Sequence, residues 1–66
     1  MSINNLLSTM FVDTKVTIEI GIEEDNTYYT KIDWIGTANN VPKKYYDMEI
    51  FLTIPIDKGE IKIITH

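Results

Sequence analysis

The chain has 66 residues, 44% of them hydrophobic, no cysteine, one histidine and a formal net charge of -4. The length bounds it to a single domain, residues 1–66, with a small core; the missing thiols exclude disulfides and one histidine makes no zinc site, so neither metal nor cofactor is expected. The acidic balance disfavours direct contact with nucleic-acid phosphates, and no stretch reads as a membrane span or a secretory leader, so the expected compartment is the cytoplasm.

Ile3, Leu6, Leu7 and Met10 stand at i, i+3, i+4 and i+7. That spacing predicts a short amphipathic helix with Ser2 placed to cap its first turn. So short a helix does not hold alone and must dock on a sheet. Residues 14–22 give the cleanest signal in the chain. Val16, Ile18, Ile20 and Ile22 occupy every second position, with Lys15, Thr17, Glu19 and Gly21 between them. A period of two rich in β-branched residues predicts a strand with one face in the core. A polar turn over 23–26 and a second alternating run over 27–36 complete a hairpin.

Residues 36–42 form a loop, and Pro42 can open a short helical turn over 42–47. Lys43, Lys44, Tyr45 and Tyr46 sit in that turn. Basic and aromatic residues together are the means of single-stranded nucleic-acid binding, whereas a tyrosine lid on the core is the plainer reading. Met48, Ile50, Leu52, Ile54 and Ile56 alternate with polar or bulky residues in a third strand, where Pro55 marks an edge or a bulge. Residues 57–60 make a turn with Gly59, and Ile61 to Ile64 begin a fourth strand.

These readings predict an α+β, mainly β fold: a short N-terminal helix packed on a four-stranded antiparallel sheet made of two hairpins. Unbroken alternation places Val16, Ile18, Ile20, Ile22, Ile32, Trp34, Ile50, Leu52, Ile54, Ile61 and Ile63 on the inner face. Tyr29, Ile35, Phe51 and Ile64 point outward. Exposed together they would form an apolar patch, which marks an interface. With so small a core, they point to a homo-oligomer, most simply a dimer.

The charge is uneven. Residues 1–40 carry Asp13, Glu19, Glu23, Glu24, Asp25 and Asp33 against Lys15 and Lys31, whereas residues 41–66 balance. The tip carboxylates Glu23, Glu24 and Asp25 read first as a solvated turn. With Glu19 and Asp33 on the flanking strands they could instead form an anionic strip for a basic partner. An exposed tip offers no pocket to separate the pKa values of two carboxylates, and no calcium-loop spacing is present, so an enzyme is not expected. The candidate partner-binding residues are therefore Glu19, Glu23, Glu24, Asp25 and Asp33, with Tyr29 and Phe51 from the apolar set.

The order of a short helix, Ser2-Ile3-Asn4-Asn5-Leu6-Leu7, followed by strands in a small acidic chain resembles the accessory proteins of phages and prophages of low-GC Gram-positive bacteria. Several anti-CRISPR proteins are similar in size, charge and opening. The resemblance covers the layout of the chain and carries over no functional residue. It implies a binder that blocks a host nuclease or another defence component. Two other classes stand beside it: an oligomeric structural module without inhibitory role, and a small β nucleic-acid-binding protein using Lys43, Lys44, Tyr45 and Tyr46.

Overall fold

A computed structural model describes residues 1–66. The predicted helix is α1, Ile3–Leu7, and Ser2 caps it by accepting from the Asn5 N–H at 3.3 Å. Four strands follow: β1 Lys15–Glu24, β2 Thr27–Thr37, β3 Ile50–Asp57 and β4 Glu60–Thr65. Two 3-10 turns, Ala38–Asn40 and Lys43–Tyr45, lie between β2 and β3. The first hairpin closes through a loop of two residues, Asp25 and Asn26, both at positive φ (50° and 65°). Short polar side chains tolerate that region, and it matches the twist of the flanking strands. The second turn uses Gly59 at φ 73°.

All four strands form one sheet in the order β2-β1-β4-β3. Both hairpins are antiparallel as expected, but the central pair, β1 with β4, is parallel. The sheet is therefore mixed, which corrects the purely antiparallel reading. The cause lies in the connection from β2 to β3. β2 ends level with Lys15, and β3 starts level with Ile20 through the pairs Ile50–Thr65 and Ile20–Thr65. The chain over 38–49 must climb the length of the shared sheet before β3 can begin. In climbing it lays Val41 and Tyr45 on one face, and parallel strands require such a crossover.

That inner face holds the core. Ile3, Val16, Ile18, Val41, Tyr45 and Ile63 are buried together, with Leu6, Leu7, Trp34, Met48 and Ile50 packed around them. The helix is tied to the crossover by backbone bonds from Ile3 to Met48 O and from Asn4 to Tyr46 O, each 3.0 Å. These satisfy donors that a helix start leaves without intrahelical partners. The shortest principal extent is 17 Å, the depth of a sheet with one layer of cover at the usual spacing of about 10 Å.

Two bulges revise the face assignment. On β1 one step from Ile18 to Glu19 matches two on β2, from Trp34 to Ile32, so Asp33 is the extra residue. A second irregularity between Ile50 and Leu52 makes Phe51 extra against β4. A bulge inverts the alternation beyond it. Trp34 and Ile50 stay on the inner face as predicted, whereas Ile32, Leu52 and Ile54 turn outward, at 54%, 47% and 37% exposure. The expected inner set loses these three members. In the outward set Ile35, Phe51 and Ile64 hold, but Tyr29 pairs with Ile22 and so belongs to the inner side.

Candidate functional site

β1 runs on past β4. Its parallel ladder ends at Ile20–Thr65, and Gly21 to Glu24 pair only with β2. This two-stranded arm projects about 13 Å, at roughly 3.3 Å per residue. Tyr28 folds back over the arm: its ring lies across Gly21, where any side chain would collide with the phenol. The same ring meets Phe51 at 6.5 Å between centroids, and Phe51 meets His66 edge-on at 4.8 Å. An aromatic row therefore spans the sheet from β2 to β3 on its outer face.

The edge strands add further apolar residues to that face. Ile32 and Ile35 come from β2, and Leu52 and Ile54 from β3, all exposed. Ile64 lies between them and is buried. No element crosses this side, because the helix and the crossover both occupy the other.

One ion pair interrupts the apolar surface. Glu19 on β1 accepts from Lys62 Nζ on β4 at 2.9 Å, and Thr30 Oγ1 on β2 donates to its other oxygen at 2.6 Å. The Glu19 side chain is 8% exposed and that of Lys62 32%. The Thr30 and Lys62 hydrogen bonds hold the Glu19 carboxyl below its ordinary pKa, against the opposing effect of burial. Glu19 thus stays ionised at neutral pH.

The expected anionic strip is not assembled. Glu19 is engaged by Lys62. Asp33, carried inward by its bulge, accepts from the Tyr45 hydroxyl on the opposite face. Burial, then the hydrogen bond and charge of Asp33, push the Tyr45 hydroxyl up to about 12. The tip carboxylates diverge: Glu23 pairs beside Tyr28 on the outer side, while Glu24 on the inner side accepts from the Tyr29 hydroxyl at 3.2 Å. Glu23, Glu24 and Asp25 are all exposed. Tyr29, at 44% exposure, lies along the arm away from Phe51.

The second basic candidate cluster is also divided. Tyr45 is a core residue at 2% exposure, with Trp34 6.5 Å away and Lys44 Nζ 5.1 Å from its ring. Lys43 and Lys44 remain exposed, whereas Tyr45 is withdrawn into the core and Tyr46 packs partly buried against it, so the lysines and tyrosines do not form one exposed set for stacked bases. Lys62 and Thr30, which complete the Glu19 site, were not among the predicted residues. Each sits diagonally across from Glu19, whose direct partners are Ile32 and Ile64, a relation visible only once strands are paired.

No group of three or more acidic, histidine or cysteine side chains is placed to hold a metal. No helix is long and apolar enough to cross a membrane. The chain matches no family model, no curated protein and no solved structure.

Proposed function

We propose that the chain is a non-catalytic binding protein whose contact surface is the open face of its sheet, bordered by the acidic arm. The observation that carries this reading is the side on which the apolar residues stand. Tyr28, Ile32, Ile35, Phe51, Leu52 and Ile54 are each at least 37% exposed. They stand on one side of the sheet, in two groups on the edge strands β2 and β3 with Thr17, Glu19, Lys62 and Ile64 of the central strands between them. Exposed apolar residues gathered on one face mark an interaction site where scattered exposure would not. The chemistry of Glu19 argues in the same direction. A general base needs a pKa near the working pH, and this carboxyl is held low by Thr30 and Lys62.

The test pairs sedimentation with Nile red, a neutral probe of exposed apolar surface. The parent should either self-associate or brighten the dye. Leu52→Lys, which removes no core contact, should abolish either behaviour while Trp34 fluorescence stays native. A parent that does neither overturns the reading.

A narrower proposal follows from the resemblance to anti-CRISPR proteins: inhibition of a host nuclease through the arm. The projection of Glu23, Glu24 and Asp25 beyond β4 favours it, because exposed carboxylates steer association with a basic groove. Changing all three to Ser should slow inhibition of a CRISPR nuclease at low salt and matter less at high salt. Equal inhibition by the variant and the parent at low salt removes the arm from the contact.

A further inference from the structure

We propose that the occupant of the open sheet face is a second copy of this chain, the two sheets packing face to face about a two-fold axis with their acidic arms at opposite ends. The inference rests on the reading of that face as a contact surface and names what covers it. Three observations select a second copy over a foreign partner.

The first is area. Taking for each the roughly 150–250 Å² of a large aromatic side chain, the exposures of Tyr28, Ile32, Ile35, Phe51, Leu52 and Ile54 leave roughly 450–750 Å² uncovered. A standard interface buries about 800 Å² on each partner, polar rim included. The apolar set fills most of that need, and Thr17, Thr30 and Lys62 lie on the same face to supply the remainder. The match is to a whole sheet face four strands wide rather than to a peptide or a single helix.

The second is charge. The chain carries -4 overall, yet the middle of this face is a closed pair. Glu19 already holds its bonds to Lys62 and Thr30 and is nearly buried in one protomer. Covering the carboxylate takes little more water from it, and the remaining cost of burial falls on Lys62, whose side chain is 32% exposed. A strongly basic or acidic partner finds no opposite charge there. An apolar surface with its charge self-neutralised fits a copy of itself.

The third fixes the orientation. β1 carries Glu23 at the arm end of the outer face, beside the other tip carboxylates, and Lys15 at the other end, where Glu60 of β4 and Asp57 of β3 follow across the sheet on the same face. Antiparallel stacking sets each Glu23 toward the partner's Lys15 end, while parallel stacking sets the acidic tips together. The longest extent is 38 Å, several times the screening length of about 8–10 Å, so antiparallel stacking removes the repulsion between tips. Two sheets so related form a sandwich with an interior about 10 Å thick.

The experiment measures mass by sedimentation velocity from 1 to 100 µM, with Nile red binding on the same samples. The parent should sediment as a dimer, and Leu52→Lys and Ile32→Lys should each sediment as monomers with Trp34 fluorescence unchanged. Because the chain has no cysteine, Thr17→Cys at the middle of the face should oxidise to a disulfide-linked dimer, and Asn26→Cys at the arm tip should not. That pair of variants keeps the proposal testable if the lysine variants unfold. A monomeric parent that binds the dye overturns the second copy and leaves the face as a contact for another partner. A monomeric parent that binds none overturns both readings. A dimer that persists in both lysine variants, or that cross-links through position 26 and not 17, places the contact at a strand edge and overturns face-to-face packing.

Discussion

Two buried polar groups on neighbouring strands illustrate how much a single partner decides. Thr65 is fully buried on the inner face, and its hydroxyl bonds to no protein group. An unpaired buried hydroxyl costs about 1–3 kcal/mol, while valine keeps the shape and removes the polar atom. Thr65→Val should therefore raise stability by about 1 kcal/mol, read as a higher urea midpoint at unchanged slope. Glu19 has the opposite situation, with both oxygens bonded. Its folded-state pKa is depressed, so its contribution is complete above the unfolded carboxylate value and is lost as pH falls through the folded one. Glu19→Leu with Lys62→Met should flatten the acid limb of the stability profile below about pH 4.5, and it should cost less at neutral pH than either single change. Removing one member of a buried pair strands the other; the expected single-variant loss is about 1–3 kcal/mol, below the fully buried range because Lys62 remains about a third exposed. An unchanged acid limb in the double variant would show that other carboxylates control it.

At the scale of elements, Trp34 tests the bulge in β2. The alternation of its own strand predicted Trp34 on the inner face beside Ile32 and buried; it lies on the inner face without Ile32 and is only partly buried, resting on Gly36 and against Tyr45. Trp34→Ala should cost about 2–3 kcal/mol, less than the 3–5 of a fully enclosed tryptophan. Ile32→Ala, two residues away and on the outer face, should cost under about 1 kcal/mol in a monomer. Equal losses at the two positions would place them on one face and remove the bulge. The helix, its cap, both hairpins and the turn at Gly59 were legible because each is specified by local spacing and local chemistry. The bulges were not. Asp33 alternates normally in sequence; what turns it inward is a tyrosine 12 residues later that needs an acceptor. The parallel centre was hidden for a similar reason. Val41, Tyr45 and Met48 recur at i, i+4 and i+7, and that spacing was the available sign that the connection covers the sheet rather than looping clear of it.

For the whole molecule, the sheet is unequal along its length. Around Val16, Ile18 and Ile63 it is covered on one side and paired on both edges of each central strand. Beyond Ile20 only two strands remain, with no cover from the helix or the crossover. A bare two-stranded ribbon is marginal in water, so opening free energy should fall from the middle of β1 toward the arm. Native-state hydrogen exchange reads this directly. Amides of Val16, Ile18 and Ile63 that lie in the ladder should exchange only by global unfolding, and those of Glu23, Glu24 and Tyr28 by local fraying at least tenfold faster. The gradient also separates two roles for Tyr28. If its ring merely shields Gly21, Tyr28→Ala should speed exchange in the arm alone. If the aromatic row with Phe51 couples the arm to β3, exchange should quicken at Phe51 and Leu52 as well. Uniform exchange from arm to centre would mean that the arm folds as one unit with the core, and its projection past β4 would then offer a partner a rigid edge.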